Sequence, residues 1–435
     1  MKKRYLLLVV LLYIFSFSAI AQEKGEKESK FLDEVGQMGK WNFDAYEILL
    51  NFVQPVDHNN PEGEKFTQRV FIKHVDFDKP VVIHDRGYYA RPGSPKTELA
   101  RMLNCNEVEI EHRYFAPSIP EDVNWNYLTI EQAAADQHVI VQWLKKYYKG
   151  KFIATGASKG GQTALFHEYF YPDDNDVVVA YVAPINLEME DSRIWPYIYD
   201  SISTAENRKR IIEYQRALLQ RRDEVKPLVL KEIEESGDTL LGDYDFCFEH
   251  AVLEFNFAWW QYRGTDMSEI PAPDAPVEEL YKPFKGSIDF FLGGGRDLMA
   301  PFNYQAYTQI GFYCYDTTPF RDLLIAATED CSSNKPLFYD KKWNKPYDPE
   351  PLRKIHDFLV NKAERVLYIY GGNDPWTAPG VWPSGKTSSF RMTKKGGNHG
   401  THILSFEGDD RERILTALES WLDVKINRRR LASMR

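Results

Sequence analysis

A serine in a glycine-rich turn is the first residue of the chain with an evident capacity for covalent chemistry. The motif Thr-Gly-Ala-Ser-Lys-Gly-Gly at residues 155–161 follows the apolar run 152–154 and precedes a helix-like stretch. Small residues around a serine permit the sharp strand-to-helix turn of a nucleophile elbow, from which the hydroxyl projects. Ser158 is therefore the predicted nucleophile. The competing interpretation is a Gly/Ser loop that only connects a strand to a helix, because the pattern is short.

A serine nucleophile needs a base and a group that orients this base, and both follow in the chain order expected after an elbow. Asp374 lies just past the strand-like run 365–370, and His399 lies in the loop Gly-Gly-Asn-His-Gly after a short strand at 388–393. Turns after parallel strands meet at one edge of an α/β sheet. A Ser-His-Asp triad is thus expected there. His402 is the competing base, but it precedes two apolar residues and is expected to pack.

Two main-chain donors are expected to stabilise the oxyanion of such a site. One is the N–H of Lys159, directly after the nucleophile, and the other belongs to the turn at Gly87 and Tyr88, which follows a buried strand at 80–84. The sequence contains no His-Glu-x-x-His motif or similar cluster. Neither a metal ion nor another cofactor is therefore predicted.

The start of the chain has the pattern of an export signal. Residues 2–4 are basic, residues 5–17 are apolar, and residues 19–21 read Ala-Ile-Ala. This apolar core is shorter than the roughly 20 residues of a membrane span, and no other stretch is long and apolar enough for one. Cleavage before Gln22 predicts a secreted or periplasmic protein and takes the formal net charge from −10 to −13. An acidic chain with a single basic run, at 428–430, is not expected to bind nucleic acid.

The cysteines give no sign of a metal or redox motif. They stand at positions 105, 247, 314 and 331, without Cys-x-x-Cys spacing. Disulfides are possible in an exported chain, and Cys314 with Cys331 is the more local pair. Buried free thiols are the alternative.

Strand-like and helix-like segments alternate up to about residue 185 and resume near residue 366. This alternation predicts an α/β fold whose mostly parallel sheet is covered by helices. Between these parts, charged and aromatic-rich helical segments occupy roughly 160 residues, far more than an ordinary loop of about 2 to 6. The predicted organisation is a signal peptide at 1–21, a mobile N-terminal segment at 22–45, a core at 46–185 and 349–435, and a helical cap at 186–348.

Several motifs carry a family likeness. The elbow resembles that of the secreted bacterial tripeptidyl aminopeptidase family of serine peptidases. Other pieces are similar to the prolyl carboxypeptidase and dipeptidyl peptidase group of lysosomal serine peptidases: Val56 to Pro61, Phe66 to Arg69, Glu111 to Phe115, Leu128 to Ala133 and Asn373 to Trp376. The likeness extends in pieces from about residue 46 to 406. It implies an α/β-hydrolase core with a helical cap inserted before the triad's Asp and His. At one position the chain departs from the family, with Arg86 where an acidic residue tends to precede Gly-Tyr.

The same likeness implies an exopeptidase that releases short peptides and must bind a chain terminus. A buried carboxylate could pair with an amino-terminal ammonium group, and Glu111 and Glu131 are the candidates because they lie in the similar stretches. For Glu111 the alternative is a structural ion pair with Arg113 or a lysine. Trp259, in the aromatic run 255–262, is expected either to wall the substrate cleft or to belong to the core.

The leading prediction is a secreted serine aminopeptidase that removes di- or tripeptides. A carboxylic ester hydrolase with the same triad, a prolyl-specific carboxypeptidase, and a relative that binds peptides without cutting them are the alternatives. The partners expected are peptide substrates. The residues do not determine an oligomeric state, the length of the released peptide or the preferred residue at the cleavage position.

Overall fold

A computed structural model describes residues 25–42 and 47–434. The predicted signal peptide lies outside the described residues. A nine-stranded sheet forms the centre, in the order β1-β2-β3-β5-β4-β6-β7-β10-β11. The strands are β1 (Gly39–Asn42), β2 (Glu47–Pro55), β3 (Lys65–Lys73), β4 (Val81–Asp85), β5 (Asn106–Ile110), β6 (Phe152–Ala157), β7 (Val177–Tyr181), β10 (Val366–Gly371) and β11 (Phe390–Lys394). From β5 to β11 all neighbours pair in parallel, and β1, β2, β3 and β5 pair antiparallel. The mostly parallel sheet agrees with the sequence prediction.

Helices cover both faces of this sheet, as parallel strands require. In β7, Val178 and Ala180 face one hydrophobic cluster, whereas Val177 and Val179 face another. The first face packs on α3 (Ile130–Lys145), α4 (Lys159–Phe170) and α12 (Glu350–Asn361), and the second on α2 (Glu98–Leu103), α13 (Gly408–Leu422) and α14 (Arg428–Ala432). Because both faces are buried, the inner strands are continuous apolar runs. This architecture is an α/β-hydrolase core.

The segment between β7 and α12 is largely helical. It contains α5 (Ile194–Asp200), α6 (Ala205–Gln220), α7 (Arg222–Ser236), α8 (Tyr244–Tyr262), α9 (Val277–Asp289), α10 (Arg296–Gln305) and α11 (Lys335–Phe338). Two short strands, β8 (Cys314–Asp316) and β9 (Cys331–Ser333), form an antiparallel pair that the sequence did not reveal. A Cys314–Cys331 disulfide joins them, while Cys105 and Cys247 are buried free thiols. One hydrophobic cluster runs from the sheet into these helices, so the boundaries at residues 185 and 349 stay a prediction.

The N-terminal segment differs from its prediction as mobile. Residues 25–38 form helix α1, and β1 extends the sheet beside β2. The physical reason is an aromatic anchor, because Phe31 packs on the rings of Trp143 and Tyr147 and is buried. The charged composition of 23–30 concealed this anchor in the sequence. Among the described residues, no helix is long and apolar enough to cross a bilayer.

A buried ion pair fixes the loop that follows β5. Arg113 is fully buried, and its guanidinium donates to both oxygens of Asp136 on α3 at 2.7 Å. It also donates to the carbonyl oxygens of Val56 and Tyr127. Arg113 therefore joins three separate segments of the chain, and its partner is Asp136 and not Glu111.

Replacing this arginine should destabilise the fold strongly. Arg113→Met removes the guanidinium from the buried Asp136 carboxylate and leaves it the His58 ring, whose Nε2 lies 2.7 Å from Oδ1, so we expect a loss of about 3–5 kcal/mol in the free energy of unfolding. Urea denaturation measures the loss. The control is Arg428→Met, which removes a half-exposed pair with Glu412 and Glu419 and should cost about 1 kcal/mol or less. Equal losses in the two variants would contradict this role of Arg113.

Candidate active site

Ser158 occupies the sharp turn between β6 and α4. Its backbone has φ +55° and ψ −125°, a conformation that non-glycine residues rarely adopt. Its N–H donates to the carbonyl oxygen of Tyr181 at 2.9 Å, and its carbonyl accepts from Gln162. Such strain persists only where the surroundings impose it, and it is frequent at functional sites. The turn has the geometry of a nucleophile elbow.

Close backbone contacts explain the glycines around this turn. A Cβ on Gly160 would lie 2.3 Å from the carbonyl oxygen of Asp85, and one on Gly87 would lie 2.5 Å from the nitrogen of Gly160. Gly87 also has φ +70°, which favours glycine. The turn at Gly87 and Tyr88 therefore packs directly on the first turn of α4, next to the N–H of Lys159.

The side chain of Lys159 fastens the same two segments together. Its Nζ donates to the carbonyl oxygen of Gly87 at 2.6 Å and lies over the rings of Tyr88 and Phe115. Burial lowers the pKa of Lys159 well below its usual range. The side chain is thus a buried tether for the turn that was predicted to hold the oxyanion.

Asp374 and His399 meet at the same sheet edge. His399 Nδ1 lies 2.6 Å from Asp374 Oδ2. Asp374 is fully buried, and its Oδ1 accepts the N–H of Trp376. A proton on Nδ1 donates to the carboxylate, which leaves the lone pair of Nε2 free. His399 Nε2 is buried and has no hydrogen-bond partner among the described residues. This arrangement is that of an oriented general base.

Helix α8 holds the loop that carries the histidine. The N–H of His399 donates to the carbonyl oxygen of Gln261 at 3.0 Å, and the Asn398 side chain donates to the carbonyl oxygens of Tyr262 and Arg263. The competing base, His402, is exposed and bonds Gly400 and Ser405 instead. The structure brings His399, not His402, to Asp374.

Ser158 and His399 both line a cleft of about 950 Å³. The cleft lies between the sheet edge and helices α8, α9 and α10, and aromatic side chains form much of its wall: Phe255, Trp259, Phe302, Phe312, Tyr313 and Trp376. Its size suits a small organic ligand or a short peptide. No hydrogen bond joins the Ser158 hydroxyl to His399 in this structure, and the Tyr88 hydroxyl lies within bonding reach of Ser158.

Glu254 is the one carboxylate among the described residues that line the cleft. Its Oε2 accepts the hydroxyls of Tyr313 at 2.8 Å and Tyr315 at 2.7 Å. Burial raises the pKa of Glu254 to about 7, and the two tyrosine hydrogen bonds oppose this rise. A cation in the cleft would stabilise its charged form. Glu254 was not singled out from the sequence, although a carboxylate directly before the aromatic run 255–262 was a signal.

Glu111, a residue predicted to bind the substrate's amino terminus, forms hydrogen bonds with other residues of the protein instead. It is fully buried and does not line the cleft. Arg69 donates to both of its carboxylate oxygens, and Ser118 Oγ and the N–H of Ala90 donate one bond each. Its acceptor sites are filled by structural partners, so the prediction of substrate contact is corrected. Glu111 forms a structural ion pair, as the alternative interpretation expected, but its partner is Arg69 and not Arg113.

Of the other two predicted substrate-binding residues, Trp259 lines the cleft and Glu131 does not. Glu131 is exposed in the first turn of α3 and does not line the cleft, because the buried side of this helix faces the sheet. Trp259 lines the cleft, stacks on Phe255 and is 4% exposed. Within the part of the chain that the structure describes, Trp259 Nε1 has no hydrogen-bond partner. Asn186, which the sequence did not single out, likewise lines the cleft with an unpartnered Oδ1.

Crowding at Gly160 should make the site sensitive to one methyl group. In Gly160→Ala the new Cβ must push away the carbonyl of Asp85 and with it the Gly87 turn. We expect a fluorophosphonate probe to label Ser158 about 100-fold more slowly, as for other small misplacements of catalytic groups. The control is Gly264→Ala, whose Cβ meets nothing within 4 Å. Unchanged labelling of a folded Gly160→Ala protein would contradict this dependence.

Solved structures with the same broad architecture include the proline iminopeptidase of Mycobacterium smegmatis. It is 12% identical with a TM-score of 0.39, and the match covers 88% of this chain and 100% of that one. An esterase from Exiguobacterium antarcticum is 13% identical with a TM-score of 0.33, over 82% of this chain and 97% of the other.

A closer relative is found by sequence. The prolyl tri/tetrapeptidyl aminopeptidase of Streptomyces mobaraensis is 32% identical over 388 residues, which cover 87% of this chain and 80% of the relative. The profile of the PS-10 peptidase S37 family matches residues 36–430. A match of this extent, on an α/β-hydrolase core, establishes that the chain belongs to the PS-10 peptidase S37 family of serine peptidases.

Proposed function

We propose that this serine exopeptidase removes short peptides, of two or three residues, from the amino terminus of peptide substrates. Ser158 attacks the scissile carbonyl, His399 Nε2 accepts the hydroxyl proton, and Asp374 stabilises the imidazolium that forms. His399 then returns the proton to the leaving amine. Water, activated by the same histidine, hydrolyses the acyl-enzyme.

The observation that carries this mechanism is the Asp374–His399 hydrogen bond of 2.6 Å, with Nε2 left free beside a cleft that Ser158 also lines. The bond requires a protonated Nδ1, and this tautomer is the one a general base needs. Ser158 and His399 are proposed to join by a hydrogen bond on substrate binding, because catalytic hydrogen bonds are often long or poorly aligned in sites without a ligand.

The oxyanion is assigned to the main-chain N–H groups of Lys159 and of the Gly87–Tyr88 turn. Lys159 is the first residue of α4, where an N–H has no partner within the helix. The Lys159 side chain holds Gly87 against this point. Each such donor lowers the barrier by about 3 kcal/mol in enzymes where it has been removed. The Tyr88 hydroxyl, beside Ser158, is a further candidate donor.

Recognition of the amino terminus is assigned to Glu254, which takes the place of Glu111 and Glu131. An exopeptidase of this direction must bind an ammonium group, and a charge-assisted hydrogen bond in a buried cleft does so well. The tyrosine hydrogen bonds use Oε2 only. Oε1 is therefore left for the ligand. A carboxypeptidase needs a cation for the substrate's terminal carboxylate. Arg86 and Arg263 line the cleft, but Arg86 pairs with Glu109 and Arg263 with Glu269, so the carboxylate of Glu254 favours the amino-terminal direction.

Proline next to the cleaved bond is the proposed preference, taken from the name of the relative from Streptomyces mobaraensis. Aromatic walls support this proposal, because flat rings such as those of Trp259 and Trp376 pack well on a pyrrolidine ring.

Export is proposed on two grounds. The first 21 residues have the composition of a cleavable signal. The Cys314–Cys331 disulfide fits a protein that folds in an oxidising compartment. A secreted or periplasmic location follows from both.

Loss of the nucleophile tests the reaction itself. A library of unblocked peptides is incubated with the protein, and mass spectrometry identifies the products. Wild type should shorten peptides from the amino end by a constant step, and Ser158→Ala should lower the rate by at least about 1,000-fold. Internal cuts, or trimming from the carboxyl end, would reject the exopeptidase assignment. Rapid turnover of short acyl esters with no peptide cleavage would favour an ester hydrolase.

Glu254→Gln tests amino-terminal recognition. The pKa of Glu254 near 7 means that its charge is lost as pH falls below 7, whereas a peptide amine stays charged up to about pH 8. The KM of wild type for an unblocked peptide should therefore rise about tenfold from pH 7.5 to 5.5. In Glu254→Gln the KM should be raised at pH 7.5 by about 10- to 100-fold, with little pH dependence.

The matched control is Glu131→Gln, which changes an exposed glutamate outside the cleft and should behave as wild type. His399 is unchanged in every variant, so the comparison isolates the effect of the carboxylate at residue 254. A Glu254→Gln protein with the KM and pH profile of wild type would remove Glu254 from the binding site.

A further inference from the structure

We propose that helix α8 acts as a molecular ruler that sets the released fragment at about three residues. This inference rests on the proposed function, and in particular on Glu254 as the partner of the amino terminus. One point of the helix holds the terminus of the substrate, and another point holds the catalytic histidine. The spacing between the two points then decides which peptide bond reaches Ser158.

The same helix carries both fixed points along the cleft. Its cleft-lining residues are Glu254, Phe255, Ala258, Trp259, Gln261 and Tyr262. Gln261 accepts the N–H of His399 at 3.0 Å, and Tyr262 accepts a bond from Asn398. The histidine therefore lies at the carboxyl end of α8, two turns from Glu254.

Helix geometry gives the spacing. Gln261 lies seven residues after Glu254, and a rise of about 1.5 Å per residue separates their positions along the axis by about 10.5 Å. An extended peptide advances about 3.3 Å per residue. About three residues therefore fit between the ammonium partner and the scissile bond. A dipeptide would not reach from one point to the other.

Glu254 is held firmly enough to serve as a fixed point. Tyr313, directly before β8, and Tyr315, within it, donate to its Oε2, and Asn334 donates to the hydroxyl of Tyr315 at 2.7 Å. Cys314, between the two tyrosines, is joined to β9 by the disulfide. The hydroxyl of Tyr262 also interacts electrostatically with Glu254, and burial raises the pKa of Tyr262 to about 12, so this hydroxyl stays neutral at working pH.

The chain offers a place to move the fixed point. Ala258 is one turn nearer the histidine than Glu254, on the same cleft-lining face. A glutamate there would shift the ammonium partner by about 6 Å, which corresponds to between one and two residues of extended peptide.

The test compares the products of two double variants. Glu254→Gln with Ala258→Glu moves the carboxylate, and Glu254→Gln with Ala258→Gln is the matched control of the same size without the charge. Unblocked peptides of eight to ten residues are the substrates, and mass spectrometry gives the length of the first fragment released. Wild type is expected to release tripeptides, and the variant with the moved carboxylate is expected to release mainly single residues and dipeptides. Tripeptide release by that variant would overturn the ruler.

A second measurement uses wild type alone and does not depend on the folding of any variant. Free di-, tri- and tetra-alanine are tested as competitive inhibitors. Trialanine should bind at least about tenfold more tightly than dialanine, because only the longer peptide spans both fixed points. Equal inhibition by the two would overturn the ruler even if the peptidase assignment holds. If wild type releases nothing from the amino end, the proposed function fails and not the spacing.

Discussion

The hydrogen bond between His399 and Asp374 is the interaction on which the rest of the site depends. It selects the imidazole tautomer. It also requires that the buried carboxylate after β10 and the loop after β11 lie within hydrogen-bonding distance of each other. That loop is in turn bonded to the last turn of α8. The catalytic geometry is therefore shared between the sheet and the helical segment above it, and neither part alone determines the position of the histidine.

Several features that lower the stability of the fold lie at this edge of the sheet. Ser158 has a strained backbone, Lys159 is a buried cation, and Glu254 is a buried carboxylate whose pKa is raised by burial. Each one lowers the stability of the fold taken singly. The hydrophobic clusters on both faces of the sheet compensate for them. The concentration of such features at one edge, beside an aromatic cleft, is what separates a functional site from the ordinary surface.

Much of this could be predicted from the sequence, for a local reason. Ser158, Asp374 and His399 each follow a segment that the sequence predicts as a strand, and a parallel sheet gathers such positions at one edge. The sequence could not show Glu254 as a cleft residue, because its orientation depends on Tyr313 and Tyr315, about 60 residues further on. At Glu111 the error was the reverse, because a residue was predicted to contact substrate and does not. Motif likeness suggested that contact, but the carboxylate pairs with Arg69, which is distant in sequence.

Helix α1 is a third feature that was not predicted from the sequence. Its surface charge indicated a mobile segment, and only the tertiary contacts of Phe31 with Trp143 and Tyr147 explain its helix. Periodicity and motifs thus predicted the sheet and the residues at its edge. What the cleft can bind depends on side-chain partners that are far apart in sequence, and the sequence did not predict these pairs.

The most direct test of the central claim is a crystal structure of the protein after reaction with a fluorophosphonate. We expect the phosphonyl group on Ser158 Oγ, with one of its oxygens facing the N–H of Lys159. His399 Nε2 should lie within hydrogen-bonding distance of the adduct while Nδ1 remains bonded to Asp374. An adduct on another residue, or a His399 turned away from a modified Ser158, would contradict the assignment of these three residues to one proton-transfer relay.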